Sequence, residues 1–172
     1  MRTLAALAVL LLVAACQAPP AEMTVGERQA IADELHQLNL QLNRLGETND
    51  LEGMLEYWVA DPSAYFVGDP ASFLQGVRLL HSKAEIQEFF GPMQRARSST
   101  NLSVLNDHVA VLSPTLAIQV LEQKYSVTDT LGNTGPEYPE TATTVWVKED
   151  GAWKMLHFHQ SWSTTPIETS GG

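Results

Sequence analysis

The chain lacks most of the features that would tie it to a cofactor, a metal or a nucleic acid. It has one cysteine, Cys16, in 172 residues. No intramolecular disulfide can form, and the fold must stand on its core. Basic residues are scarce. Ten Lys and Arg face 20 Asp and Glu, a formal charge of −10, which opposes binding to nucleic acid or to an anionic membrane surface. No Gly-rich phosphate loop, no Gly-x-Ser-x-Gly elbow and no internal repeat is present. The only long apolar run, Leu4 to Ala15, is 12 residues, well short of the roughly 20 needed to span a bilayer.

That run is informative in another way. Arg2 supplies a positive start, Leu4–Ala15 an apolar stretch, and Val13-Ala14-Ala15-Cys16 ends it with small residues before the cysteine. The segment resembles the lipobox of bacterial lipoproteins, in which the thiol takes a diacylglycerol. The other reading is an ordinary secretory leader with an incidental cysteine. The expected organisation is a signal peptide over 1–15, a tether over 16–23, one domain over 24–163 and a flexible tail over 164–172. Gln17 after the cysteine resembles an outer-membrane address facing the periplasm. The membrane would then be met only through the lipid on Cys16.

The domain begins with helices. Thr24-Val-Gly-Glu27 is a capping box. Ile31, Leu35, Leu38, Leu42 and Leu45 form one apolar stripe that ends near Gly46. Asn49 or Asp50 caps a short second helix through Trp58, broken by Asp61-Pro62. Ala64–Val67 reads as a strand. Ser82-Lys-Ala-Glu85 opens a third helix, with Ile86, Phe89 and Phe90 on one face, expected to stop at Gly91-Pro92. The period then falls to about two. Strands are expected over 102–105, 109–112, 116–128, 141–148 and 152–163, with Asp150-Gly151 as a hairpin turn. Helices first and long strands last give an α+β layer fold.

The closing segment, Trp153-Lys-Met-Leu-His157-Phe-His159-Gln-Ser-Trp162, follows Thr144-Val-Trp146 and the Asp-Gly turn. With the three preceding helices it resembles the nuclear transport factor 2-like superfamily. The nearest branches are the SnoaL-like domains and the association domain of calcium/calmodulin-dependent protein kinase. The resemblance covers residues 24–162. It implies a cone: a strongly curved antiparallel sheet with the N-terminal helices on its concave face and a pocket at the wide end. Dimers are common in this superfamily. The kinase association domain has arginines where this chain has Thr144 and Gln160. The resemblance therefore brings no cationic grip for an acidic ligand.

Strand alternation places Leu156, Phe158, Gln160 and Trp162 on one face and Met155, His157 and His159 on the other. The resemblance turns the Gln160 face to the pocket. The expected pocket residues are Trp58, Tyr65, Phe90, Tyr125, Thr144, Phe158 and Gln160. His157 and His159 are the alternative, as pocket or interface residues. With Met155 and Trp146 they would form a convex patch on which a homodimer packs, weakened by histidine protonation. The pair could reach one metal ion with Glu122 or His108, but two histidines satisfied in a sheet is the plainer reading, and no metal or cofactor is expected. Asp61, Asp69 and Glu122 are weak candidates for acid–base work. The functional expectation is a module that binds a small, largely apolar ligand or a partner chain. The alternatives are a SnoaL-like acid–base enzyme acting on a carbonyl compound and a pure assembly module.

The anchor makes a direct prediction. Cys16→Ser should shift the protein out of the membrane fraction or leave residues 1–15 uncleaved. Unchanged processing and membrane retention in fractionated cells would contradict it.

Overall fold

The computed structural model describes residues 22–60, 65–68, 78–163 and 165–167, with the backbone alone for Tyr65–Gly68, Arg78 and Trp162. The leader, Cys16, Asp61, Asp69 and most of the tail lie outside the described residues, as does the Tyr65 side chain. Helix α1 runs Val25–Glu47, α2 Leu51–Leu55 and α3 Lys83–Ala96. The strands are β1 Tyr65–Gly68, β2 Arg78–Leu80, β3 Arg97–Ser113, β4 Leu116–Asp129, β5 Tyr138–Glu149 and β6 Ala152–Trp162. One sheet holds all six in the order β2-β1-β6-β5-β4-β3. Strands β3 to β6 form a curved antiparallel meander, and β1 adds to β6 in parallel.

Local chemistry sets the helix ends. Thr24 Oγ1 accepts from Glu27 N while the Glu27 carboxylate accepts from Thr24 N, so the first box forms in both directions. After α1, Asn49 takes a left-handed φ of 57°, a conformation Asn tolerates well. Its amide donates to Gln94 O and Arg97 O, which ties the α1–α2 turn to the α3–β3 junction. Helix α3 continues past Gly91-Pro92, where the sequence suggested a stop. Pro92 deprives only the Glu88 carbonyl of a donor, and both residues are exposed, so water can replace the missing bond. The two strands expected over 102–105 and 109–112 are one long β3, with a bulge at Leu105.

A second bulge has larger consequences. Val145 pairs with His157, but Trp146 pairs with Met155, so Leu156 has no opposite number on β5. The extra residue resets the alternation. Trp153 and Met155 point into the core, and from Phe158 onward the even positions do. Met155 and Trp146 are therefore not convex-face residues, contrary to the sequence expectation; they are 4% and 1% exposed, packed with Leu35, Leu42, Leu55 and Trp58. His157 and His159 do sit on the convex side, opposite Val145 and Thr143.

A polar chain running from the half-exposed His36 on α1 to the buried Trp146 ties α1 to the sheet. His36 Nδ1 lies 2.7 Å from Asp107 Oδ2. Gln119 Nε2 donates to both Asp107 oxygens, and Trp146 Nε1 donates to Gln119 Oε1 at 2.9 Å. Gln119 is 0% exposed, so its amide serves two buried partners at once. Gln119→Leu should cost about 1–3 kcal/mol, because the Trp146 indole N–H then loses its acceptor inside the core. Urea unfolding checks this, and an unchanged midpoint would contradict it.

Candidate functional site

The long helix α1 and the shorter α2 and α3 pack over the concave face of the four long strands without filling the space beneath them. Between them lies a cavity of about 540 Å³. Leu42, Met54, Leu55, Ile86, Phe89 and Phe90 form its helical wall, the two phenyl rings edge to face at 4.9 Å. Leu121, Met155 and Phe158 form part of the sheet wall. The size and the apolar walls match a small-molecule site.

The sheet also brings polar groups inward. On β5, Glu140, Ala142, Thr144 and Trp146 share the concave face by period-two spacing. Gln123 lies opposite Glu140, Tyr125 opposite Tyr138, and Gln160 opposite Ala142. Gln123 Nε2 donates to Glu140 Oε1 at 2.7 Å. Glu140 is only 4% exposed, and this burial pushes its carboxyl above the usual carboxylate range, against the opposing pull of the Gln160 and Gln123 amides. The Tyr125 phenol is pushed up to about 12 by burial, by the Glu140 charge and by Tyr138, on which its ring stacks at 5.5 Å.

Five residues on the cavity wall each carry a buried polar atom with no hydrogen-bond partner among the described residues. They are Asn39 Nδ2, Arg97 Nε, Thr100 Oγ1, Gln123 Oε1 and Glu140 Oε2. Buried polar atoms are paired in the great majority of cases, so five on one wall is a strong departure.

The structure places Trp58, Phe90, Tyr125, Thr144, Phe158 and Gln160 around this cavity. His157 and His159 do not line it. Among the described residues no cluster of three His, Cys, Asp or Glu could hold a metal ion. Glu122 is exposed on the convex face. Sequence reasoning missed Glu140, Gln123, Arg97, Thr100 and Asn39. Glu140 stands six residues before Trp146 in phase with Thr144, but the strand was expected to start one residue later and so left it out.

A SnoaL-like domain model matches residues 35–166. The chain belongs to the SnoaL-like domain family. A search of curated proteins finds no match. Among solved structures, the SnoaL-like chain is similar to a type 2 hexachlorocyclohexane dehydrochlorinase (13% identity, 85% of this chain, 95% of that one, TM-score 0.65). It is also similar to the association domain of the C. elegans calcium/calmodulin-dependent protein kinase II (17%, 78% and 97%, 0.61). A nuclear transport factor 2-like superfamily protein from Salmonella enterica matches too (17%, 87% and 98%, 0.59). At these identities the likeness speaks for the fold alone.

Glu140 gives this site a pH signature. Its folded-state carboxyl titrates above its ordinary value of 4.5. Glu140 therefore favours the folded state fully below that value, and the contribution is lost as pH rises through the raised one. Glu140→Gln keeps the acceptor for Gln123 and removes the charge. The variant should lose less stability than the parent as pH is raised from about 4.5 to 8, measured by paired urea titrations. Parallel profiles would contradict a buried, uncompensated carboxylate.

Proposed function

We propose that this chain is an exported, lipid-anchored protein of the bacterial cell envelope, and that its SnoaL-like domain binds a small, largely apolar molecule. The observation that carries the reading is the set of five polar atoms, unpaired among the described residues, on the wall of one largely apolar cavity. Left without partners, such groups cost about 1–3 kcal/mol each, so an occupant that pairs with them gains what the fold forgoes. The apolar wall would supply affinity and the polar atoms orientation.

A second reading has its own support. Glu140 is a buried carboxyl held above its ordinary range, beside Tyr125 and two amides. A protonated Glu140 can donate to a ligand carbonyl, and its ionised form can take a proton, which is the equipment of an acid–base enzyme. Binding comes first in either reading.

Assembly belongs to the same proposal. Ile118, Val120, Val145 and the two histidines form the middle of the convex sheet, and a symmetric homodimer packed there would cover them. His157 is held below its ordinary value by burial and by His159. Protonating His157 then works against association, so sedimentation should show the dimer weakening between about pH 7.5 and 5.5. A monomer at both values would contradict it.

For the cavity, the test is a fluorescence titration with the neutral apolar dye N-phenyl-1-naphthylamine. The parent should bind one dye per chain. Val127→Trp, which adds bulk on the cavity wall, should weaken binding about tenfold or more. Binding that is absent, or untouched by the tryptophan, would contradict the proposal.

A further inference from the structure

Arg97 begins β3, and the register slips between Arg97 and Ser99. That bulge places Arg97 in phase with Thr100 and Leu102, so all three line the cavity. A guanidinium stays charged at any physiological pH and is rarely buried without a carboxylate. Its cross-strand neighbour, Asp129, would be the natural partner. Asp129 is already committed: it accepts from Leu131 N and Asn133 N, each at 2.8 Å, and from Asn133 Nδ2 at 2.9 Å. No ion pair joins Arg97 to any carboxylate among the described residues. Arg97 is part-buried; its Nε is buried with no acceptor among the described residues, and burial works against the charge.

The neighbouring unpaired groups have the same polarity. Thr100 Oγ1 can donate, and Asn39 Nδ2, from α1, is a donor. Donors therefore gather on the α1–β3 side of the cavity. The unpaired acceptors, Gln123 Oε1 and Glu140 Oε2, belong to β4 and β5. A wholly neutral, apolar occupant would leave Arg97 Nε unanswered.

We propose that the cavity takes an amphipathic monoanion, a carboxylate or sulfonate on an apolar body, with Arg97 holding the anionic head. Thr100 and Asn39 add hydrogen bonds to that head, and the apolar body lies along the phenylalanine and leucine wall. This rests on the reading of the cavity as a ligand site. It supplies a cationic grip on β3, away from Thr144 and Gln160, the positions the resemblance points to.

Two dyes with the same aromatic body separate the inference from that reading. N-phenyl-1-naphthylamine is neutral, and 8-anilinonaphthalene-1-sulfonate adds a sulfonate. Titrated at low ionic strength, the parent protein should bind the sulfonate at least tenfold more tightly. Arg97→Gln should abolish that preference while leaving the neutral dye within about twofold. Arg97→Lys should restore part of it, because lysine keeps the charge and loses the fork. Thermal melts of all three proteins guard against a folding defect; Arg97→Gln should melt no lower than the parent, since the guanidinium has no partner to lose. Equal binding of the two dyes to the parent would overturn the assignment of Arg97 and leave the cavity reading intact. So would a preference that survives in Arg97→Gln, or an equal loss of both dyes with an unchanged melt. If neither dye binds the parent, the cavity reading falls and the inference falls with it.

Discussion

The unpaired Leu156 on β6 decides what the concave face presents. A strand of strict alternation cannot place both Met155 and Phe158 on one side. With the bulge it does: Trp153 and Met155 pack against Trp58 and Leu55, while Phe158 and Gln160 face the cavity. The same residue turns His157 and His159 outward. One register slip thus keeps Met155, before it, and Phe158 and Gln160, after it, on the same concave face, where all three line the ligand-sized space. Strand β1 then pairs with β6 beyond the slip, from Tyr65 opposite His157 onward.

The polar chain that ends at Trp146 is well satisfied. Gln119, fully buried, has both ends of its amide engaged, and Trp146 and Asp107 are engaged with it. The cavity wall is not. Glu140, Gln123, Thr100, Arg97 and Asn39 each keep a buried atom without a partner among the described residues. A sequence selected for stability alone would place apolar residues at such positions, because a half-satisfied polar network is worse than none. Departures from local consistency concentrate where function lies, and here they concentrate on one wall.

The helices, the Thr24–Glu27 capping box, the Ser82 cap, the Asp150-Gly151 turn and the long C-terminal strands were legible because each rests on short-range chemistry: a cap three residues from its partner, a stripe at helical spacing, a turn that needs positive φ. Trp58, Phe90 and Tyr125 announce themselves by size and Gln160 by its phase with Phe158, and all of these line the cavity. What stayed hidden depends on register. Nothing local shows that Leu156 is extra, so Met155 was given the wrong face. Nothing local shows that the slip after Arg97 turns a helix-end arginine inward. Glu140 follows Pro139 in a stretch that reads as a connection, and its place beside Gln123 exists only once β4 and β5 are paired.

The central claim is that the unpaired atoms on this wall are held open for a guest. A crystal structure of the purified domain tests it most directly. The account predicts ordered non-protein density within hydrogen-bond distance of Glu140 Oε2 and Gln123 Oε1, with the cavity keeping its volume. A structure in which α1 and α3 close onto the sheet, so that Glu140, Gln123, Thr100 and Arg97 pair with one another, would contradict it.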